Sequence, residues 1–163
     1  MEAFNSLPQA ALEADLLAVC AAPGWVAAVA AGRPYASKNE VLATADAAAR
    51  ALSWADVRAG LSAHPRIGER AQGDSKEAAW SRREQSMAAS SGPSPELVAA
   101  NRAYEEKFGQ VFLIFASGKS QDEILAAARE RLRHDEETER PIVAEELRKI
   151  AMLRLERLLD GLG

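Results

Sequence analysis

Residues 111–118 read Val111-Phe112-Leu113-Ile114-Phe115-Ala116-Ser117-Gly118, a short apolar run between Gly109 and Gly118. Its reading decides the fold class. At this length periodicity does not separate a buried strand from the end of a buried helix. No other stretch of the chain reads as a partner strand. The run is therefore expected to be a mostly extended, buried connector, and the fold class all-α.

Outward from this run the chain reads as helices separated by short breakers. Ser94-Pro95 is an N-cap followed by proline at the first helical position, opening a helix to about Phe108. Ser120-Gln121-Asp122-Glu123 is a capping box leading a helix to about Leu132, and the last helix runs from about Thr138 to Leu162. Upstream, one helix is expected from Leu7 to Ala22, stopped by Pro23-Gly24, and a short one from Trp25 to Ala31. A capping box at Ser37–Glu40 opens a helix to about Leu52, and Ser53 opens another to about Ser62. A further helix is expected from about Ser75 to Ser90, closed by SSGPSP. Breaker spacing is even and no repeat is visible. Residues 1–163 are thus expected to form a single-domain compact bundle of roughly seven to nine helices.

The composition narrows the function classes. Hydrophobic residues make up 48 % of the 163, enough for a real core without covalent staples. A net charge of −4 and a pI near 5.3 argue against a nucleic-acid partner. The single cysteine, Cys20, lies in an alanine-rich run and is expected to be packed rather than reactive. One cysteine and two histidines give no zinc-ligand cluster, so no metal is expected. The N-terminus carries acids where a signal peptide carries bases, and no apolar run approaches the ~20 residues that span a bilayer. A soluble cytoplasmic protein without a membrane partner is expected.

Polar chemistry faces inward at three places. His64 precedes Pro65 in LSAHPRIGER (61–70). The proline ring drives its neighbour out of the helical region, and Gly68 permits a turn, so His64 sits on a stiffened corner. Such a corner suits a structural hydrogen-bonding histidine or a fixed acid–base group. In WSRREQSM (80–87), Ser81, Glu84 and Gln85 share one helical face beside Trp80 and Met87. That face is either ordinary solvated helix or, if buried, a polar site whose carboxylate needs a donor or a raised pKa. In the last helix, Val143, Leu147, Ile150 and Leu158 form an apolar stripe, and Arg154 projects from its middle. An arginine there needs an anion or a route to water. Glu84 would be a structural partner; a substrate carboxylate would be a functional one, gripped by the two-pronged fork. His134 lies in the charged stretch RLRHDEETER and is expected in a solvated loop.

Taken in order, these residues resemble the 2-oxo-4-hydroxy-4-carboxy-5-ureidoimidazoline (OHCU) decarboxylases of urate breakdown. The resemblance runs over nearly the whole chain: Gly24-Trp25-Val26, Arg33-Pro34-Tyr35, His64-Pro65-Arg66-Ile67-Gly68, Ser81-Arg82-Arg83-Glu84-Gln85, Phe108-Gly109, Phe112–Gly118, Arg131-Leu132 and Leu153-Arg154-Leu155. It implies an all-helical, cofactor-independent enzyme that releases CO2 and forms (S)-allantoin, and it is compatible with a homodimer. By position, His64 matches the catalytic histidine and Pro65 its substrate-contacting neighbour. Ser81, Glu84 and Gln85 match polar side chains around the substrate ring, with Glu84 placed to orient His64 or hold ureido N–H groups. Leu113, Ile114, Phe115 and Ala116 match a segment that meets substrate through its backbone, and Arg154 the closing arginine. Two positions depart from the pattern. Phe115 stands where cysteine is common, a larger side chain that would narrow the pocket, and His134 stands where asparagine is common.

The chemistry implied is consistent with these residue types. An imine next to the carboxylate-bearing carbon receives the electrons released with CO2, so the substrate supplies its own electron sink. The protein must hold the ring, move protons and choose a face. The alternative is a non-catalytic helical binding module for a small anionic metabolite, which would need the arginine and amides but no acid–base pair. His64, Glu84 and Arg154 are expected to converge on one pocket.

Overall fold

A computed structural model describes residues 1–62 and 94–162. Among the described residues there are eight α-helices and no strand. They are α1 (Glu2–Ser6), α2 (Gln9–Val19), α3 (Pro23–Ala31), α4 (Lys38–Arg50), α5 (Trp54–Leu61), α6 (Pro95–Phe108), α7 (Gln121–Arg131) and α8 (Glu136–Leu162). The all-α expectation holds. The helix expected over 75–90 lies outside the described residues. The chain divides into two compact units: residues 1–62 with 147–162, and residues 94–146. Helix α8 contributes its first part to the second unit and the remainder to the first.

The first unit corrects the expected helix from Leu7 to Ala22. Pro8 is the N-cap of α2, which ends at Val19, and a separate short α1 precedes it. Proline tolerates a helix start because its missing N–H would have no intrahelical acceptor there. Arg33 secures the break: Nη1 donates to the carbonyls of Phe4 at 3.1 Å, Asn5 at 3.2 Å and Leu7 at 2.7 Å. Carbonyls at a helix end lack the intrahelical donors of the next turn, and that of Phe4 also accepts the Leu7 N–H at 3.4 Å. Asn5 and the Tyr35 backbone exchange two bonds of 2.8 Å. The capping serines behave as their sequence indicates, Ser37 accepting from Glu40 N–H and Ser53 from Asp56 N–H, each at 3.2 Å. Leu12, Leu16, Val19, Trp25, Val29, Val41, Ala45 and Leu155 are fully buried. The indole N–H of Trp25 donates to the Ala45 carbonyl at 3.1 Å, so the largest buried ring leaves no polar atom unmet.

In the second unit, Ser94 caps α6 by accepting from Leu97 N–H at 3.1 Å, and Ser120 caps α7 by accepting from Glu123 N–H at 3.2 Å. α8 starts at Glu136, two residues ahead of the expected start, and Asp135 caps it by accepting from Thr138 N–H at 2.8 Å. Leu97, Ala100, Tyr104, Phe108, Ile124 and Ala128 form the core of the helix pair. Phe112, Ile114 and Ala116 join the same cluster, whereas Leu113, equally buried, lies outside it. That alternation is the period of two of an extended chain. Residues 111–116 carry neither helix nor strand, as expected of the connector. The glycines at its borders both take left-handed backbone, Gly109 at φ 71° and Gly118 at φ 79°. No described helix is long and apolar enough to cross a membrane.

Two stability predictions follow from these elements. Gly109→Ala forces a Cβ into left-handed backbone and should lower the unfolding free energy by about 1–2 kcal/mol. Gly161→Ala, in α8 with nothing within 4 Å of the added carbon, should leave it unchanged or raise it by up to about 1 kcal/mol. Urea unfolding of both variants reads the opposite signs. The second concerns Asp46, which accepts from Arg50 at 2.9 Å and Arg148 at 2.7 Å. Arg50 first, and then Arg148, hold its carboxyl below the usual aspartate range. A depressed folded pKa stabilises above the unfolded value and is lost as pH falls through the folded value. Asp46→Asn should therefore show a deficit of under about 1 kcal/mol at pH 7 that vanishes toward pH 3.

Candidate functional site

The connector holds four of the expected substrate-binding residues, with Leu113, Ile114 and Ala116 buried and Phe115 partly so. Among the described residues no strand lies beside it, and its backbone polar groups take side-chain partners instead. The Leu113 carbonyl accepts from Arg131 Nη1 at 2.6 Å, and the Phe115 N–H donates to Glu146 Oε1 at 3.2 Å. Both partners are buried, Arg131 at 5 % and Glu146 at 8 % exposure. Phe115 itself is half-buried.

Arg131 is held in turn by a buried carboxylate. Its Nε lies 2.8 Å from Glu139 Oε2, and Nη2 reaches the same oxygen. The Tyr104 hydroxyl donates to that oxygen too. The guanidinium stacks over Phe112 at 4.6 Å and Tyr104 at 5.5 Å from the ring centroids. Burial, and then the hydrogen bond to Glu139, push the Tyr104 phenol well above its ordinary pKa, so it remains a donor. Glu139 is 1 % exposed. Removing one partner of such a buried ion pair strands the other, at a cost of about 3–5 kcal/mol.

The other oxygen of Glu139 lies 3.2 Å from His134 Nδ1. His134 therefore departs from the solvated loop expected for it. Its ring is half-buried, and the turn that carries it is tied down by Lys107, whose Nζ donates to the carbonyls of Leu132 and His134 at 2.5 and 2.6 Å. Only residues 132–135 separate α7 from α8, too few for the side chain to swing clear of the cluster.

Arg154 is 1 % exposed, in the first unit. The stripe expected around it, Val143, Leu147, Ile150 and Leu158, is buried throughout. Cys20 is buried as expected; burial pushes its thiol pKa up, while the Ala22 backbone and then the Arg154 charge pull it down. Gly60 keeps this region close-packed, since a Cβ there would stand 2.9 Å from Leu147 Cδ2. His64, Pro65, Ser81, Glu84 and Gln85 lie outside the described residues.

Arg131, Glu139 and Glu146 were not among the expected site residues. The signal for two of them was present: Glu139 precedes Val143 by four residues and Glu146 follows it by three, so both share the apolar stripe that singles out Arg154. Arg131 follows buried Ala128 by three and buried Ile124 by seven.

The comparisons with known proteins agree with this architecture. A family model described as OHCU decarboxylase matches residues 5–156. The 2-oxo-4-hydroxy-4-carboxy-5-ureidoimidazoline decarboxylase of Amia calva is 31 % identical over 142 residues, covering 85 % of this chain and 81 % of that protein. The uric acid degradation bifunctional protein of Arabidopsis thaliana is 31 % identical over 147 residues, 86 % of this chain, which spans only 45 % of that longer protein. A crystal structure of OHCU decarboxylase in the presence of (S)-allantoin superposes with a TM-score of 0.76 at 28 % identity, covering 90 % of this chain and 98 % of that one. With its helices, its motifs and a match from residue 5 to residue 156 in accord, this chain belongs to the OHCU decarboxylase family.

Proposed function

We propose that this chain decarboxylates 2-oxo-4-hydroxy-4-carboxy-5-ureidoimidazoline to (S)-allantoin and CO2 in urate breakdown. The observation that carries the reading is the family match over residues 5–156, which spans both compact units and every motif residue from His64 to Arg154. Residues 1–163 are read on this basis as one catalytic domain. The fold likeness to an OHCU decarboxylase crystallised with (S)-allantoin supports the same chemistry.

In the reaction, the carbon–carbon bond to the carboxylate breaks and its electrons pass into the adjacent ring imine. The hydroxyl-bearing carbon becomes a carbonyl, and the neighbouring carbon takes a proton on one face. His64 is assigned the acid–base work, which a positioned imidazole performs near neutral pH for a gain of ~10²–10⁴ in rate. Glu84 orients it or holds the ureido N–H groups. Pro65, Ser81 and Gln85 line the ring, and the backbone of Leu113 to Ala116 pairs with its amide edges. Arg154 clamps the substrate anion. A homodimer and a cytoplasmic location belong to the same reading, on the family resemblance alone.

Four measurements test it. Freshly generated substrate should be consumed faster than its spontaneous decay, with (S)-allantoin in excess by circular dichroism; racemic product at the spontaneous rate would end the reading. His64→Asn keeps hydrogen-bonding capacity but cannot shuttle a proton. It should lower kcat about 10³-fold, equivalent to about 4 kcal/mol, with allantoin still bound. Arg154→Ala should instead raise KM with a smaller loss of kcat, provided that a melting curve shows it folded; near-normal kcat in His64→Asn would reassign the acid–base work. EDTA should leave the rate unchanged, since the substrate carries its own electron sink; loss restored by a divalent ion would overturn that expectation.

A further inference from the structure

We propose that Arg131 and Glu146 are positioning residues that set the substrate-facing edge of residues 113–116 from behind. The proposal rests on the reading above that this segment meets substrate through its backbone. The two side chains engage alternate residues: Arg131 Nη1 holds the Leu113 carbonyl at 2.6 Å, and Glu146 Oε1 holds the Phe115 N–H at 3.2 Å. In an extended chain those two groups lie on one edge, and the N–H and C=O of the residue between them face the other. The placing of alternate residues Phe112, Ile114 and Ala116 in one core cluster, with Leu113 outside it, is the pattern of an extended course. Clamping 113 and 115 therefore fixes the direction of the Ile114 donor and acceptor without touching them.

The clamps are themselves built to be stiff. Glu139 and Glu146 are seven residues apart on α8, two turns along one face. Glu139 binds Arg131 through two guanidinium nitrogens, and Phe112 and Tyr104 stack against the same group. A hydrogen bond to a neutral side chain would satisfy the Leu113 carbonyl equally well. The buried ion pair adds a fixed angle, because a planar fork locked on a carboxylate presents its remaining N–H in one direction only. Misplacement of a binding group by about 1 Å can cost 10²-fold in rate, so a backbone pair that reads a small polar ring gains from such support.

The test is steady-state decarboxylation by the full chain, with kcat and KM separated, product handedness read by circular dichroism, and a melting curve for each variant. Glu146→Ala removes the acceptor for the Phe115 N–H, whereas Glu146→Gln retains an oxygen there. Arg131→Lys keeps a cation beside Glu139 but lacks the fork that spans the carboxylate and the Leu113 carbonyl together. The expected result is a loss of about tenfold or more in kcat/KM, with a reduced excess of (S)-allantoin, for Glu146→Ala and Arg131→Lys while both remain folded. Glu146→Gln should return to within about threefold of the wild type. Should Arg131→Lys fail to fold, the two Glu146 variants decide. Variants that melt lower yet keep wild-type kcat/KM and handedness would overturn the proposal, as would equal impairment of Glu146→Ala and Glu146→Gln. A wild-type chain with no turnover would instead overturn the functional reading on which the proposal rests.

Discussion

Residues 112–114 and 116 are buried in a segment that has no strand beside it among the described residues, and there its backbone groups are met by side chains rather than by a ladder. Burying an amide without a partner costs a few kcal/mol, so a segment of this kind is stable only where side chains supply the bonds. Here Arg131 and Glu146 supply two of them. The requirement propagates outward. Arg131 inside the protein demands a counter-charge, which is Glu139; Glu139 then collects Tyr104 and His134. The arrangement converts an awkward stretch of chain into one whose direction is fixed at alternate residues.

Helix α8 carries much of this chemistry. Glu139, Glu146 and Arg154 occupy positions of its apolar stripe and are all buried. Apolar residues of similar volume at such sites are often as stabilising as a buried ion pair or more so. What charges add is direction: a carboxylate or guanidinium accepts or donates along defined lines, and a hydrocarbon side chain does not. The helix therefore packs with its aliphatic residues and orients with its charged ones.

For a reaction in which the substrate provides the electron sink, the demands on the protein reduce to placement, proton transfer and choice of face. A helical scaffold with rigidly held polar groups answers those demands. The connector held by Arg131 and Glu146 is a rigidly held polar segment of that kind.

Local signals in the sequence determined the helices. Capping serines at 37, 53, 94 and 120 and the proline at 95 act within one turn of themselves, so their effect is legible without knowledge of the fold, whereas Pro23, read as a stop, opens α3. The buried position of Arg154 was legible for the same reason, since helical spacing assigns a face before any partner is known. The N-terminal boundary lies elsewhere than periodicity places it, because the apolar pattern runs across Pro8, which caps α2, and the Arg33 contacts with Phe4 and Leu7 hold the chain at that break. The bonds of the connector lay beyond the sequence altogether. Arg131 and Glu146 stand 18 and 31 residues from the backbone groups they hold, and His134 looks solvated until the turn between α7 and α8 presses it against Glu139. Pairings across such separations are selected by packing, which brings together groups that no local rule connects. The sequence alone thus settled the family and the all-α class, through short-range rules and ordered motifs. Which buried charge meets which backbone group was decided only by the tertiary structure, because desolvated polar atoms take whatever partner the packed core places within reach.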